Sequence, residues 1–141
     1  MVKIYENLNI MEALLEAGLD ELLMKMKDAG LLEMLESAEN ITIFAPTDEA
    51  FEEIREIFPK GFLNRADREK LANILKYHVI SSVLPSEAVM SFDDIETMNG
   101  KKARIFTRDA ATLINDAEII ETDIKTQNGI IHKINKVLIP E

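Results

Sequence analysis

The chain has no cysteine. Disulfides, thiolate nucleophiles and cysteine-ligated zinc are therefore excluded together. This absence does not choose a compartment, because it suits oxidising and reducing surroundings alike. Glycine is scarce as well: there are five in 141 residues, and neither GxGxxG nor GxxxxGK[ST] occurs, so the backbone cradles that hold phosphates are missing. Only two histidines are present, His78 and His132. A zinc site needs three or four ligands, so carboxylates would have to complete one, and no HxxxH-type spacing supplies them. No apolar run reaches the roughly 18 residues of a membrane span. The start, "MVKIYENLNI", has one lysine and no apolar stretch of signal-peptide length, as would also be the case once a leader had been trimmed.

Positive charge is the minority sign. Against 26 acidic residues stand 16 basic ones, giving a formal charge of -10, a field that repels phosphate backbones and anionic headgroups. No nucleic acid and no membrane insertion are expected; cationic partners stay open. Apolar residues at 47% and charged ones at 30% are the balance of a globular protein. At this length one domain spanning 1–141 is expected.

The first third is patterned as helices. Asn9 precedes Glu12 by three, a capping-box arrangement, and Ile10, Ala13, Leu14 and Ala17 follow at helical spacing until Gly18. Leu19, Leu22, Leu23 and Met26 repeat the stripe, Gly30 suits a helix end, and "LLEMLES" adds a turn or two. "NITIFAP" changes period: its β-branched and aromatic residues make a buried strand ended by Pro46. Thr47 is placed to cap a helix, with Asp48 and Glu49 in its first turn and Phe51 and Ile54 on its apolar side. "FPKGFLNRAD" is expected as loop, with Asp67 capping a helix that carries Leu71, Ile74 and Leu75. "VISSVLP" then reads as extended, and Ser86 with Glu87 as a short capped helical turn.

Turn pairs divide the remainder. Asn99-Gly100 is a hairpin signal, and Asn115-Asp116 and Asn128-Gly129 mark two more turns between "ATLI", "AEIIETDI" and "IIHKINKVLI". Helices first and an antiparallel meander last make the class α+β.

In "GIIHKINKVLIP", alternation puts His132 with Ile130 and Ile134, and Ile131 with Lys133 and Asn135. His132 is thus expected in the core with its ring nitrogens hydrogen-bonded. Continuing the alternation turns Lys136 inward and Val137 outward, so a bulge near Asn135 to Lys136 is expected to restore the phase. His78 follows Tyr77 in "LKYHVI", but none of the five serines lies in a GxSxG elbow, which leaves no prepared nucleophile. "FDDIETMNG" lacks the alternating ligands and closing glutamate of a calcium loop. No catalytic residue, cofactor or metal ligand is therefore assigned.

Three stretches carry a likeness: "TIFAPTDEAF" at 42–51, "YH" at 77–78 and "NGIIHKINKVLIP" at 128–140. In order and spacing they resemble the fasciclin (FAS1) domain, including its prokaryotic MPB70-like members, over essentially the whole chain. The resemblance implies N-terminal helices packed on a wedge of two mainly antiparallel β-sheets. It makes Thr42, Phe44, Pro46, Thr47, Asp48, Phe51, Asn128, Gly129 and His132 framework residues. It also implies a non-enzymatic adhesion or interaction role, with a protein or glycan partner and a monomer or weakly self-associating chain. Asp123 and Ile124 match the Asp-Ile pair implicated in partner recognition in animal members, and Tyr77 and His78 match a second such region. A structural role for both pairs stands beside that one, with Asp123 bonding a turn and Ile124 filling the core. The family is typically secreted or surface-bound, whereas no leader is seen here, so a cytoplasmic location stays open. A small-ligand-binding protein using His78 or His132, or an intracellular structural protein, are the alternative readings.

Overall fold

The computed structural model describes residues 4–5, 8–57 and 68–138. The expected loop at 58–67 and the Asp67 cap lie outside those residues. Helices α1 (Ile10–Glu16), α2 (Asp20–Asp28) and α3 (Leu32–Ser37) follow a two-residue strand, β1 (Ile4–Tyr5). The capping box forms: Asn9 accepts from the Glu12 N–H, and the Glu12 side chain accepts from the Asn9 N–H. Helices α1 and α2 end where Gly18 and Gly30 take φ of +77° and +76°, values glycine reaches without side-chain penalty.

Strand β2 (Ile41–Pro46) leads into α4 (Asp48–Ile57), and α5 (Arg68–Lys76) leads into β3 (Val79–Ile80). Helix α6 (Ser86–Met90) precedes β4 (Asp94–Glu96), β5 (Lys102–Arg108), β6 (Ala111–Ile114), β7 (Ala117–Thr126) and β8 (Gly129–Ile134). One hydrogen-bonded path runs β3-β2-β8-β7-β6-β5-β4, with β1 beside β7. The wedge is realised as this continuous path: the first residues of β7 pair with β6 and the rest with β8. Antiparallel pairs dominate, but the central β2–β8 pair is parallel, as is β1–β7.

The β2–β8 ribbon separates two cores. Ile41, Ile43 and Ala45 of β2, with Ile131 of β8, pack on the helices. Phe44 and Ile134 face the other way, towards Ile95, Ile105, Ile114 and α6. Both faces of β8 are therefore covered, not only the one that carries His132: Ile131 is as deeply buried as His132. Lys133 reaches from the helix side to the Ala17 carbonyl at 3.0 Å, capping the end of α1, and lies 3.4 Å from Glu121. The expected bulge at Asn135 to Lys136 is not found, because β8 ends at Ile134 and alternation simply continues. Val137 enters the helical core and Leu138 the other one. The register shifts occur on β7 instead, between Ile119 and Ile124.

One further expectation changes. "VISSVLP" is strand only at Val79 and Ile80. Beyond them the Thr42 hydroxyl replaces the ladder, donating to the Ser82 carbonyl at 2.6 Å and accepting from the Leu84 N–H at 2.8 Å. Between β5 and β6 a tight turn is made by Asp109 and Ala110, at φ 50° and 65°. Without a glycine at those positions, the turn left no signal. Asn128 does more than turn the chain: its carboxamide accepts from the Ile10 N–H and donates to the Leu35 and Ala38 carbonyls. Gly129 beside it is required by proximity, since a Cβ there would collide with the Ile41 carbonyl oxygen.

Candidate functional site

The register shift on β7 lets Asp123 leave the ladder. It takes φ of 59°, a left-handed conformation that Asp tolerates better than most residues. Its carboxylate accepts from the Ser86 N–H at 2.9 Å and the Ser86 hydroxyl at 2.6 Å. Helix α6 has Pro85 at its N-cap and no side-chain cap of its own, so Asp123 supplies the missing acceptor from another strand. Although burial acts to raise the Asp123 carboxyl, the two Ser86 hydrogen bonds, with the His132 ring and the Thr122 hydroxyl, hold it below its usual value.

His132 sits beneath this corner, 1% exposed. Its Nδ1 accepts from the Asp123 N–H at 3.1 Å, and its Nε2 lies 2.7 Å from the Leu84 carbonyl, which fixes Nε2–H as the donor. The ring stacks at a tilt on Phe44, its partner across the parallel ladder. Burial lowers the imidazole pKa, while the Leu84 hydrogen bond and the Asp123 carboxylate act against that shift.

The Tyr77-His78 pair lies where α5 passes into β3. His78 is fully buried; its Nδ1 donates to the Ile74 carbonyl and its Nε2 accepts from the Leu138 N–H, both at 2.9 Å. Burial pushes this imidazole down to about 4, although hydrogen bonds to the Ile74 and Leu75 backbone oppose the change. The Tyr77 hydroxyl donates to the Lys102 carbonyl and accepts from the Asn115 carboxamide, each at 2.9 Å.

The four partner-binding candidates are therefore placed unequally. Tyr77, His78 and Ile124 are buried, and Asp123 is half-buried with its carboxylate on Ser86. The structure brings Asp123, His132 and Ser86 together but keeps Tyr77 and His78 in a separate corner. Thr42, Phe44, Pro46 and Phe51 are buried as framework. Thr47 accepts from the Ala50 N–H, and Asp48 caps α2 through the Glu21 N–H.

A recess of about 60 Å³ opens beside this cluster between α6 and the β6–β7 hairpin. Val89 and Ile119 give it apolar walls, Ser86, Thr112 and Thr122 contribute hydroxyl-bearing side chains, and Met90 and the His132 ring complete it. Sequence reasoning missed the recess, because its lining comes from four elements and no local spacing links them. Although Ser86, Asp123 and His132 are the residue types of a hydrolase triad, their order is wrong for one. Ser86 donates to the carboxylate, and both His132 ring nitrogens face backbone groups, so no base is directed at the hydroxyl. Among the described residues, no group of His, Asp and Glu side chains could hold a metal ion.

Comparison with known proteins places the arrangement. The model of the Fasciclin domain matches residues 17–140. The chain is 35% identical over 117 residues to Transforming growth factor-beta-induced protein ig-h3 of Sus scrofa, covering 82% of this chain but 16% of that protein. It is 36% identical over 114 residues to human Periostin, covering 79% of this chain and 13% of the relative. It thus spans only a small part of those animal proteins. Against the uncharacterized protein sll1735 of Synechocystis it is 31% identical, and the match covers 79% of this chain and 81% of that one. A FAS1 domain pair from the insect cell adhesion molecule Fasciclin I superposes with a TM-score of 0.68 at 23% identity, over 86% of this chain and 45% of that one.

Proposed function

Because this chain belongs to the fasciclin family, we propose that it is a non-enzymatic interaction module that binds a protein or glycan partner at a cell surface or in the envelope. One observation carries the reading: the groups that chemistry would require are engaged in holding backbone. His78 bridges Ile74 to Leu138, His132 bridges Leu84 to Asp123, and the Asp123 carboxylate caps α6. A site whose polar atoms are already satisfied orders a surface more readily than it activates a substrate. The adhesion molecule whose domain pair shares this fold supports the same reading.

Asp123, with the neighbouring α6 and β7 surface, is the proposed contact region; buried Ile124 would act by shaping it, and Tyr77 and His78, in their separate corner, by holding the fold. Immobilised domain is to be tested against matrix proteins, envelope preparations and a panel of glycans. Saturable binding that weakens when Asp123 and the exposed Met90 are replaced supports the proposal. Absence of binding to every class at micromolar concentration overturns it.

A second reading is favoured by the recess: an apolar group of a small ligand could enter beside Val89, Ile119 and the His132 ring. Ligand-induced shifts of the His132 ring protons in NMR spectra, with no partner protein present, would favour that reading over the first.

A further inference from the structure

We propose that, within the interaction reading above and resting on it, the partner is a basic protein segment. One of its aliphatic side chains enters the recess between α6 and the β6–β7 hairpin, and lysine or arginine beside that side chain meets the carboxylates at the recess mouth.

The lining decides the chemistry of the anchor. Ser86, Val89 and Met90 stand at i, i+3 and i+4 of α6, so one face of that helix borders the recess. Most of the polar groups there are already engaged. The Ser86 and Thr122 hydroxyls serve the Asp123 carboxylate, and both His132 ring nitrogens face backbone groups. What the recess still offers is the hydrocarbon of Val89, Met90 and Ile119, with the Thr112 side chain. A sugar inserted there would leave most of its hydroxyls without partners, whereas a hydrocarbon side chain has no hydrogen bond to lose. Volume narrows the choice further. The space is about 60 Å³, less than half of the roughly 150 Å³ that holds a benzene ring. It is also far below the roughly 300–1,000 Å³ of sites that enclose a whole small ligand. The branched end of Leu, Ile or Val fits, in the manner of a single interface anchor.

Charge decides what flanks that anchor. Residues 77–100 and 111–124, which supply α6, β6 and most of β7, contain eight carboxylates and no lysine or arginine. Four of the eight are answered inside the domain. Asp94 and Glu96 lie opposite Arg104 and Lys102, Glu121 is 3.4 Å from Lys133, and Asp116 is 3.9 Å from Lys136. Two others stand at the recess. Asp123 bonds Ser86 directly. Glu87, the next residue of α6, is exposed and shares a helix edge with Met90 three positions on. Neither has an ion pair among the described residues. An acidic segment is repelled from this mouth, while lysine or arginine next to the anchor meets both carboxylates. Met90, 60% exposed, supplies a flexible thioether that can fold over the inserted side chain.

The probe is the blocked peptide acetyl-Gly-Lys-Leu-Lys-Gly-amide, titrated into the isotope-labelled whole chain at low salt and followed by NMR. Saturable shifts are expected at the amides of Ser86, Val89, Met90, Ile119 and Thr122, with a dissociation constant of about one millimolar or tighter. Replacing the leucine of the peptide by serine, or both lysines by glutamate, should weaken binding about fivefold or more. Glu87→Lys should leave thermal unfolding close to that of the parent, weaken the lysine peptide and strengthen the glutamate peptide. Thr112→Leu, which fills the recess from its wall, should abolish binding of the lysine peptide. If the peptide shifts nothing while a matrix protein or glycan still binds the immobilised domain, this proposal fails and the interaction reading stands; silence towards every class removes both. Equal binding of the serine peptide, indifference to Glu87→Lys, or isobutanol binding at the same amides as tightly as the peptide overturns the basic protein anchor.

Discussion

At the α5–β3 junction the His78 ring donates through Nδ1 and accepts at Nε2; below the β7 corner the His132 ring donates through Nε2 and accepts at Nδ1. Each imidazole joins a backbone carbonyl to a backbone N–H far away in sequence, and each works only when neutral. Their surroundings differ. His78 is enclosed and has no carboxylate among the groups that set its pKa, whereas His132 has Asp123 beside it and the recess against its ring. A charged ring is therefore least tolerable at His78 and partly compensated at His132. The first corner behaves as pure framework, while the second joins framework to surface.

The largest effect that can break this contrast is His78→Ala. With the ring gone, the Ile74 carbonyl and Leu138 N–H lose their partner in a dry site, and an unsatisfied buried group costs about 1–3 kcal/mol. Chemical denaturation should register a loss of roughly 2–5 kcal/mol; a loss below about 1 kcal/mol would show that the corner is not dry.

Next in size is acid sensitivity. The His78 pKa falls from 6.5 in the unfolded chain to about 4 in the fold. Its contribution is therefore fully present above pH 6.5 and is lost as pH falls towards 4, by roughly 3 kcal/mol in all. His132, also lowered, and Asp123, whose stabilising contribution is lost as its carboxylate protonates, act in the same direction. Thermal unfolding between pH 7 and 5 should fall steeply in the parent and much less in a His78→Ala background. Equal slopes would remove the distinction between the corners.

His132→Ala should cost about 1–3 kcal/mol, less than His78→Ala because water can enter from the recess to meet the Leu84 carbonyl and Asp123 N–H. Unfolding of both variants in one buffer ranks them, and a larger loss at His132 would invert the comparison. The smallest effect belongs to Asp123→Asn. It keeps a residue that accepts left-handed backbone and one acceptor for Ser86, so a loss of about 1 kcal/mol or less is expected. A drop in partner binding with that small stability change would mark Asp123 as a contact residue and not only a cap.

Much of this organisation was legible in the sequence. The capping box at Asn9, the strand at "ITIFAP", the turns at Asn99-Gly100 and Asn115-Asp116, and the burial of His132 all depend on local patterns that a single stretch carries. The parallel β2–β8 pair, the Asp109-Ala110 turn and the Ser86 partner of Asp123 were not legible. The first depends on which strands meet, the second uses left-handed residues without glycine, and the third joins two segments that no spacing connects. The candidate site belongs mainly to this second group. Its histidine was visible, but the irregularity on β7 that lifts Asp123 towards α6 was not; the bulge expected at Asn135 to Lys136 concerned only the phase of the last strand.

The parallel pairing of β2 with β8 also governs when the domain can exist. Ile41 and Gly129 are neighbours in the sheet yet lie far apart in the sequence, so the central ribbon closes only after β8 has been made. Contacts of that separation slow folding, and the loop entropy is opposed before the pairing rewards it. A nascent chain that stops short of Gly129 holds β2 with one long edge unfilled and Ile43 and Phe44 without their partners. Such an intermediate exposes a ready template for other strands, and synthesis of β8 converts it from an aggregation hazard into a paired sheet.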